Sequence, residues 1–223
     1  MQNSSKARTG HRPVKQQAHQ VRIIGGQWKR TPLPVLSVEG LRPTTDRVRE
    51  TVFNWLNHLI DGQWSNRRCL DLFAGSGALG FEAASRGAQE VVFMESHAAV
   101  IRHLAAAKDK LSAQQVRIVP GDVLMSLRKM GSVGASAAQY NMIFVDPPYH
   151  QGWLDKIMPL CAQILTEDGL LYVEAEMSLT ADELPTWMSE WEVLRADKAG
   201  MVFYHVLQRK NIPEMGHNAH SVD

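Results

Sequence analysis

Asp146-Pro147-Pro148-Tyr149 is the stretch of this 223-residue chain whose residue types point most directly to chemistry. It follows the apolar run Asn141-Met142-Ile143-Phe144-Val145, which reads as a buried strand. A carboxylate, two rigid prolines and an aromatic ring at a strand's carboxyl end make a poor turn. They make a suitable clamp for a flat ring that carries an amine. Prolines fix φ and present carbonyls without an N–H of their own, so this backbone only accepts hydrogen bonds. Tyr149 adds a face for stacking, a common way to hold a base outside its helix. Together these residues predict chemistry on an exocyclic amino group. Capping of a helix near Leu154 is the plainer role for Asp146, but it leaves the prolines and the tyrosine unexplained.

A second constellation lies upstream. Cys69-Leu70-Asp71-Leu72-Phe73-Ala74-Gly75-Ser76-Gly77-Ala78-Leu79-Gly80 reads as strand, turn and helix start, with G-x-G-x-x-G at Gly75, Gly77 and Gly80. Glu95 follows twenty residues after Gly75, at the end of the next strand. This spacing fits a dinucleotide. It fits S-adenosylmethionine equally, since either adenosine presents vicinal hydroxyls that one carboxylate accepts together. The two differ at the other end. A dinucleotide brings a pyrophosphate to the helix N-terminus, whereas S-adenosylmethionine brings an ammonium and a sulfonium. Asp71 suits the ammonium and repels a pyrophosphate. Asp122, in Pro120-Gly121-Asp122-Val123, is placed to accept from the adenine amine and also to cap the following helix. Taken with Asp146–Tyr149, the pattern favours S-adenosylmethionine.

The elements that must hold these residues alternate along the chain. Strands are expected at Cys69–Phe73, Glu90–Met94, Val116–Val119, Asn141–Val145 and Leu170–Glu174. Helices are expected at Gly77–Arg86, Ala98–Leu111, Val123–Met130 and Leu154–Leu165, with a loose Gly131–Gln139 segment before the fourth strand. Trp191–Arg195 and Met201–Leu207 complete seven strands, with Ala199-Gly200 as a hairpin turn. The alternation predicts an α/β fold with a doubly wound, mostly parallel sheet and an antiparallel edge. Ligands bind such sheets outside the strands' carboxyl ends, where the candidate residues collect. Upstream, Val21–Ile24 with Gly25-Gly26 reads as a short strand and turn, and Leu33–Leu36 as a second extended stretch. Val48, Val52, Trp55, Leu56 and Leu59 mark an amphipathic helix from Asp46 to Leu59, with Thr45 as its N-cap. The chain thus divides into a basic tail (1–19, expected disordered), an N-terminal extension (20–60), a catalytic domain (61–210) and a C-terminal tail (211–223). His217 and His220 in that tail read as exposed, and no metal site is expected.

Composition narrows the class. No apolar stretch approaches the ~20 residues that span a bilayer, and the polar, basic start has no secretory h-region. Cys69 and Cys161 do not frame a disulfide scaffold, which fits a reducing cytoplasm. The net charge of +1 conceals an asymmetry. Residues 1–50 hold ten Lys/Arg against three acids, and the remaining residues hold fourteen against twenty. The excess continues past the tail into patterned sequence at Arg22, Lys29, Arg30, Arg42, Arg47 and Arg49, as expected of a face that meets nucleic acid.

Asp71-x-Phe73-Ala74-Gly75-x-Gly77 with Asp146-Pro147-Pro148-Tyr149 resembles the class I S-adenosylmethionine-dependent methyltransferases that modify exocyclic amines. The run Leu41-Arg42-Pro43-Thr44-Thr45-Asp46-Arg47-Val48-Arg49-Glu50-Thr51-Val52-Phe53-Asn54-Trp55-Leu56, with Arg22-Ile23-Ile24-Gly25-Gly26, resembles more narrowly the bacterial 16S ribosomal RNA guanine-N2 methyltransferase family. The resemblance covers roughly residues 20–210. It implies a Rossmann-like fold and methyl transfer to N2 of a guanine in small-subunit RNA, probed in a ribosomal subunit or assembly intermediate by a monomeric enzyme. It also implies that Phe73, Gly75 and Gly77 line the cofactor cleft, with Glu95 on the ribose and Asp122 on adenine. Thr44 and Thr45 at a helix N-terminus would hold the methionine carboxylate or simply cap the helix. Asp146 and the Pro147 carbonyl would accept from the amine while Tyr149 stacks on the base. Just past the clamp, His150, Gln151 and Trp153 are placed to touch neighbouring nucleotides, and Trp153 fits the core equally well.

Three other readings stay open at this level. One is an amine methyltransferase acting on DNA adenine or a protein glutamine, although the chain has little room for a DNA target-recognition region. An NAD-dependent oxidoreductase satisfies the glycines and Glu95 but leaves Asp146–Tyr149 idle. A non-catalytic RNA-binding module explains the basic pole and not the cleft.

Overall fold

The computed structural model of the chain describes residues 20–34, 45–132 and 140–210. Strands β1 (Gln20–Arg22) and β2 (Pro32–Pro34) form a small antiparallel hairpin, followed by helix α1 (Asp46–Leu59). Then come β3 (Arg68–Asp71), α2 (Ala78–Ser85), β4 (Glu90–Glu95), α3 (Ala98–Leu111), β5 (Val116–Pro120) and α4 (Val123–Ser132). The chain continues through β6 (Tyr140–Val145), α5 (Trp153–Ile164), β7 (Leu165–Ala175), a 3-10 turn (Thr186–Glu190), β8 (Trp191–Ala199) and β9 (Val202–Arg209). The basic tail, the segment containing Arg42 and Thr44, residues 133–139 of the loose segment and the C-terminal tail lie outside the described residues.

Strands β3 to β9 make one seven-stranded sheet in the order β5-β4-β3-β6-β7-β9-β8. The first five are parallel, and β9 runs antiparallel to both β7 and β8. The α/β class, the seven strands and the antiparallel edge are those the sequence predicts. The chain winds outward from β3 to β5, then returns to place β6 on the other side of β3. The winding direction therefore reverses between β3 and β6, and a crevice opens there at their carboxyl ends.

Both faces of the sheet are covered, so strand interiors are apolar on alternate sides. Cys69, Val91, Phe93 and Phe144 face α1, α2, α3 and the hairpin. Leu70, Val92, Ile143 and Val145 face α4 and α5. The two buried thiols are free and belong to opposite faces; burial pushes Cys69 up to about 12, leaving it a packing residue. Helix α1 begins as its sequence dictates. The Thr45 side chain accepts from the Val48 N–H at 3.4 Å, and Asp46 places negative charge in the first turn. Among the described residues, no helix is long and apolar enough to cross a membrane.

The hairpin is locked onto α2 by two buried side chains. Glu82 accepts from the Ile24 and Gly25 N–H groups at 2.6 and 2.8 Å, and from Arg86 Nε at 2.8 Å. The Ser85 hydroxyl donates to the Gly25 carbonyl and accepts from the Trp28 N–H. The approach is so close that a Cβ on Gly26, whose φ is +73°, would lie 1.9 Å from the Ser85 carbonyl oxygen. The Gly25-Gly26 pair is a docking joint between backbone and helix.

Candidate active site

The glycine loop is shaped from both sides. Asp71 closes β3 at 2% exposure, and its Oδ2 accepts from the Gly80 N–H at 3.1 Å. Burial, reinforced by the nearby Glu95 charge, pushes its carboxyl up to about 7, against the lowering effect of the Gly80 N–H. Glu95 closes β4 and reaches back to the loop, its Oε2 accepting from the Gly75 N–H at 3.2 Å. Its Oε1 accepts from the Ser96 and His97 N–H groups, each at 2.8 Å. Oε1 thus uses both of its lone pairs, whereas Oε2 keeps one for a hydroxyl donor.

Gly75 (φ 49°) and Gly77 (φ 76°) turn the chain through the left-handed region. A Cβ on Gly77 would sit 2.6 Å from the Phe81 ring, and one on Gly80 would sit 1.9 Å from Phe93. The first positions let the backbone turn; the last lets α2 lie flat on β4. Phe73 is partly buried and meets Trp153 edge-on, with centroids 5.2 Å apart. Trp153 thereby becomes a wall of the crevice, with Lys156 Nζ 5.4 Å from its ring centroid and its Nε1 bonded to Gln151. Asp122, beyond β5, is exposed and accepts from the Met125 N–H at 2.9 Å, capping α4 through Oδ1. Thr45 caps α1 as described; Thr44 lies outside the described residues.

Across the crevice, Asp146 and Tyr149 are half-buried, Pro147 is buried and Pro148 is exposed. The loop is braced from β7. Glu174, 3% exposed, accepts from the Tyr172 hydroxyl at 2.8 Å and lies near enough to the Tyr149 phenol for its charge to act on it. Burial and the neighbouring charges of Glu174 and Asp146 hold the Tyr149 phenol protonated well above the ordinary tyrosine range. Just beyond the strand, Glu176 pairs with His150 Nδ1 at 2.7 Å and accepts from the His150 N–H. His150 is thus held in the left-handed region, at φ 61°.

Sequence reasoning missed this brace. Its only trace is an acid closing the apolar run Leu170-Leu171-Tyr172-Val173-Glu174, and nothing local to that run indicates which loop it touches.

The described basic residues are unevenly placed. Arg22 is exposed and pairs with Asp46 at 3.2 Å, at the start of α1. Arg47 lies close enough to Asp197 and Tyr204 for its charge to act on both. Tyr204 pairs with Glu174 across β9 and β7, so this pole of α1 lies at the crevice end of the sheet. Arg30 is exposed and donates its N–H to the carbonyl of Ile23, the residue after Arg22, whereas Lys29 is exposed in the turn after Gly26, near Ser85 at the far end of α2. That is roughly 12 Å from the glycine loop, by the 1.5 Å rise of an eight-residue helix. Arg49 differs from the sequence expectation of an RNA-facing charge. It is fully buried, donating to Asp46 Oδ1 and to the Arg22 carbonyl, each at 2.7 Å. In that position it ties β1 to α1 and presents no charge outward. Arg42 lies outside the described residues.

Residues 21–208 match the family described as conserved hypothetical protein 95. The ribosomal RNA small subunit methyltransferase D of Escherichia coli (strain K12) is 42% identical over 193 residues, covering 86% of this chain and 91% of that one. Its namesake from Haemophilus influenzae is 37% identical, covering 85% and 94%. The solved structure of yhhF from Escherichia coli superposes with a TM-score of 0.70 at 37% identity, covering 86% of this chain and 99% of that one. With the family match spanning the hairpin, the glycine loop and the Asp146–Tyr149 clamp, this chain belongs to the ribosomal RNA small subunit methyltransferase D family.

Proposed function

We propose that the chain transfers a methyl group from S-adenosyl-L-methionine to the exocyclic N2 amine of a guanine in 16S ribosomal RNA. The observation that carries this reading is a convergence at one switch point. Asp71, the glycine loop and Glu95 stand on one side of the crevice, and Asp146–Tyr149 on the other. The names of the relatives support a small-subunit RNA substrate. Guanine N2 rests on the resemblance of the Arg42–Leu56 and Arg22–Gly26 segments. The substrate is taken to be a small ribosomal subunit or an assembly intermediate, met by a monomer in the cytoplasm.

The residues present fit this cofactor. Two acids stand at the loop, Asp71 and Glu95, near enough for the Glu95 charge to act on Asp71, a setting that attracts an ammonium and opposes a pyrophosphate. When bound, the cofactor supplies a methyl group on a sulfonium and with it most of the electrophilic drive. Asp71 would hold its ammonium, Glu95 its ribose hydroxyls, Asp122 its adenine amine, and Phe73, Gly75 and Gly77 the walls around it. Thr45, with Thr44, would receive its carboxylate. On the substrate side, Asp146 and the Pro147 carbonyl accept from the two amine N–H groups, drawing the lone pair out of conjugation with the ring. Pro147 and Pro148 keep that backbone rigid. Tyr149 stacks on the extruded base, an interaction worth about 1–3 kcal/mol. Asp146 receives the proton that the amine releases, directly or through water.

Asp71 makes the cofactor step sensitive to pH. Its folded value of about 7 exceeds the ordinary 3.8. Its neutral form therefore contributes stability at low pH that is lost as pH rises through about 7. A bound ammonium favours the ionised form, so affinity changes in the opposite sense. Calorimetry should find S-adenosylmethionine binding weakening below pH 7, by up to about tenfold per pH unit, in the wild type only. Asp71→Asn should bind weakly at every pH, and a wild-type affinity flat from pH 8 to 5.5 would remove Asp71 from the ammonium site.

The RNA face should be uneven. Arg22→Ala with Arg47→Ala should lower the slope of log affinity against log salt by about one unit per lost phosphate contact. Lys29→Ala should change it less, because that residue stands near the far end of α2. A loss of slope per charge as large for Lys29→Ala as for the double variant would place the RNA across the whole hairpin. The function itself is tested by label transfer from methyl-tritiated S-adenosylmethionine to purified small subunits, with DNA and a glutamine-bearing protein as competitors. Label entering either competitor in preference to RNA would overturn the reading.

A further inference from the structure

We propose that Glu174 is a positioning residue for methyl transfer: a buried carboxylate that grips the Tyr149 phenol and so fixes the ring against which the base stacks. The inference rests on the reading of Tyr149 as the stacking ring and extends it to a residue outside the clamp. Three observations carry it. Glu174 is 3% exposed at the carboxyl end of β7, yet it accepts from the Tyr172 phenol at 2.8 Å and lies near enough to the Tyr149 phenol to act on it. The parallel register Phe144 with Tyr172 and Val145 with Val173 carries forward by one residue, bringing Asp146 beside Glu174 on the same face. Two residues on, just past β7, Glu176 holds His150 by its backbone and its ring, so the loop is anchored immediately after Tyr149.

The chemistry explains why a carboxylate stands there. Burying an acid is costly, and a strand end packed on Tyr172 would be as stable or more stable with an apolar residue. A carboxylate has lone pairs for two phenols at once, which no neutral side chain of its size supplies without presenting a donor to one of them. Stacking alone holds a tyrosine by its face and leaves the ring free to swing about its first torsion. A bond at the far oxygen stops that swing. The ring plane then stays in one relation to Asp146, the acceptor for the amine, with the tolerance of about 10–20° that a productive site needs. Glu174 touches neither base nor cofactor; it acts through Tyr149.

The test is a cycle of Glu174→Gln and Tyr149→Phe, with Tyr172→Phe as the comparison. Glu174→Gln keeps the shape but offers one phenol a donor in place of an acceptor. It should lower kcat about tenfold to a hundredfold, the worth of one hydrogen bond to a charged group. S-adenosylmethionine affinity should stay within about twofold of wild type, since the cofactor side of the crevice is untouched. Tyr149→Phe should lower kcat to a similar extent, and the double variant should be no slower than either single one. Additive losses, or non-additivity with Tyr172→Phe in place of Tyr149→Phe, would show that Glu174 serves the core and overturn the proposal.

A second readout does not depend on the substrate. With carbon-13 at the tyrosine Cζ, the Tyr149 resonance should resist alkaline titration in the wild type and titrate earlier in Glu174→Gln. An unmoved Tyr149 titration overturns the positioning role even if transfer falls. Wild-type protein that transfers no methyl to RNA but shows the Tyr149 shift would instead overturn the proposed function and keep the contact.

Discussion

Asp146→Ala will bind S-adenosylmethionine with near wild-type affinity and transfer methyl groups about 10³-fold more slowly, within the range for losing a positioned acid–base group. The expectation follows from where Asp146 stands. It directly follows β6, on the Tyr149 side of the switch point, whereas Asp71 and Glu95 end β3 and β4 on the other. The substitution therefore leaves the cofactor wall intact and removes the acceptor that frees the amine lone pair. Asp146→Asn tests the same point more finely, because an amide keeps one acceptor and loses the charge that takes the proton. It should fall between the wild type and alanine. Calorimetry for binding and single-turnover label transfer for chemistry separate the two effects. Undiminished transfer by the alanine variant would take Asp146 out of the mechanism.

Glu82→Ala will lose about 3–5 kcal/mol of stability, as expected when one partner of a buried ion pair is removed. For a chain of this size that is about 10 °C in Tm. Glu82 is fully buried, and its carboxylate satisfies two hairpin amides and Arg86, itself packed over the Phe53 ring at 5.1 Å. Removing it strands three donors. Because α2 carries the glycine loop at its other end, the variant should also raise the KM for S-adenosylmethionine. Gly26→Ala should resemble it, since the new Cβ meets the Ser85 carbonyl in a backbone conformation that alanine resists. Thermal melts compared with wild type check both, and a Tm within about 2 °C, less than one kcal/mol at this size, would contradict the lock.

Much of the architecture was legible because its signals are local. Thr45, Asp46 and the apolar stripe that follows set α1 at Asp46–Leu59, and α3 matches its expected span at Ala98–Leu111. Where the fold departs from expectation, a partner far along the chain decides. The sequence reading begins the fifth strand at Leu170, yet β7 starts at Leu165 and runs through the polar Thr166-Glu167-Asp168-Gly169. Tyr140 pairs with Leu165 across an irregular register, and Arg67 holds Asp168 at 3.1 Å. The 3-10 turn at Thr186–Glu190 is too short to carry a periodic signal and is held by burial of Trp187 and Met188.

The candidate site divides in the same way. The clamp and the glycine loop are contiguous motifs, and a reader of the sequence finds them. Arg49 was misjudged because charge was counted without phase. It stands four residues before Phe53 and seven before Leu56, on the buried stripe of α1, and points inward with them. Glu174 and Glu82 were unread because each serves a loop or hairpin that only the sheet register and the α2 docking bring near.

The most direct test digests the labelled small-subunit RNA to nucleosides and asks which one carries the methyl group. The account predicts label in N2-methylguanosine from wild-type protein and almost none from Asp146→Ala. Label in N6-methyladenosine, or in a guanosine methylated on a ring nitrogen, would contradict a crevice built to free an exocyclic guanine amine.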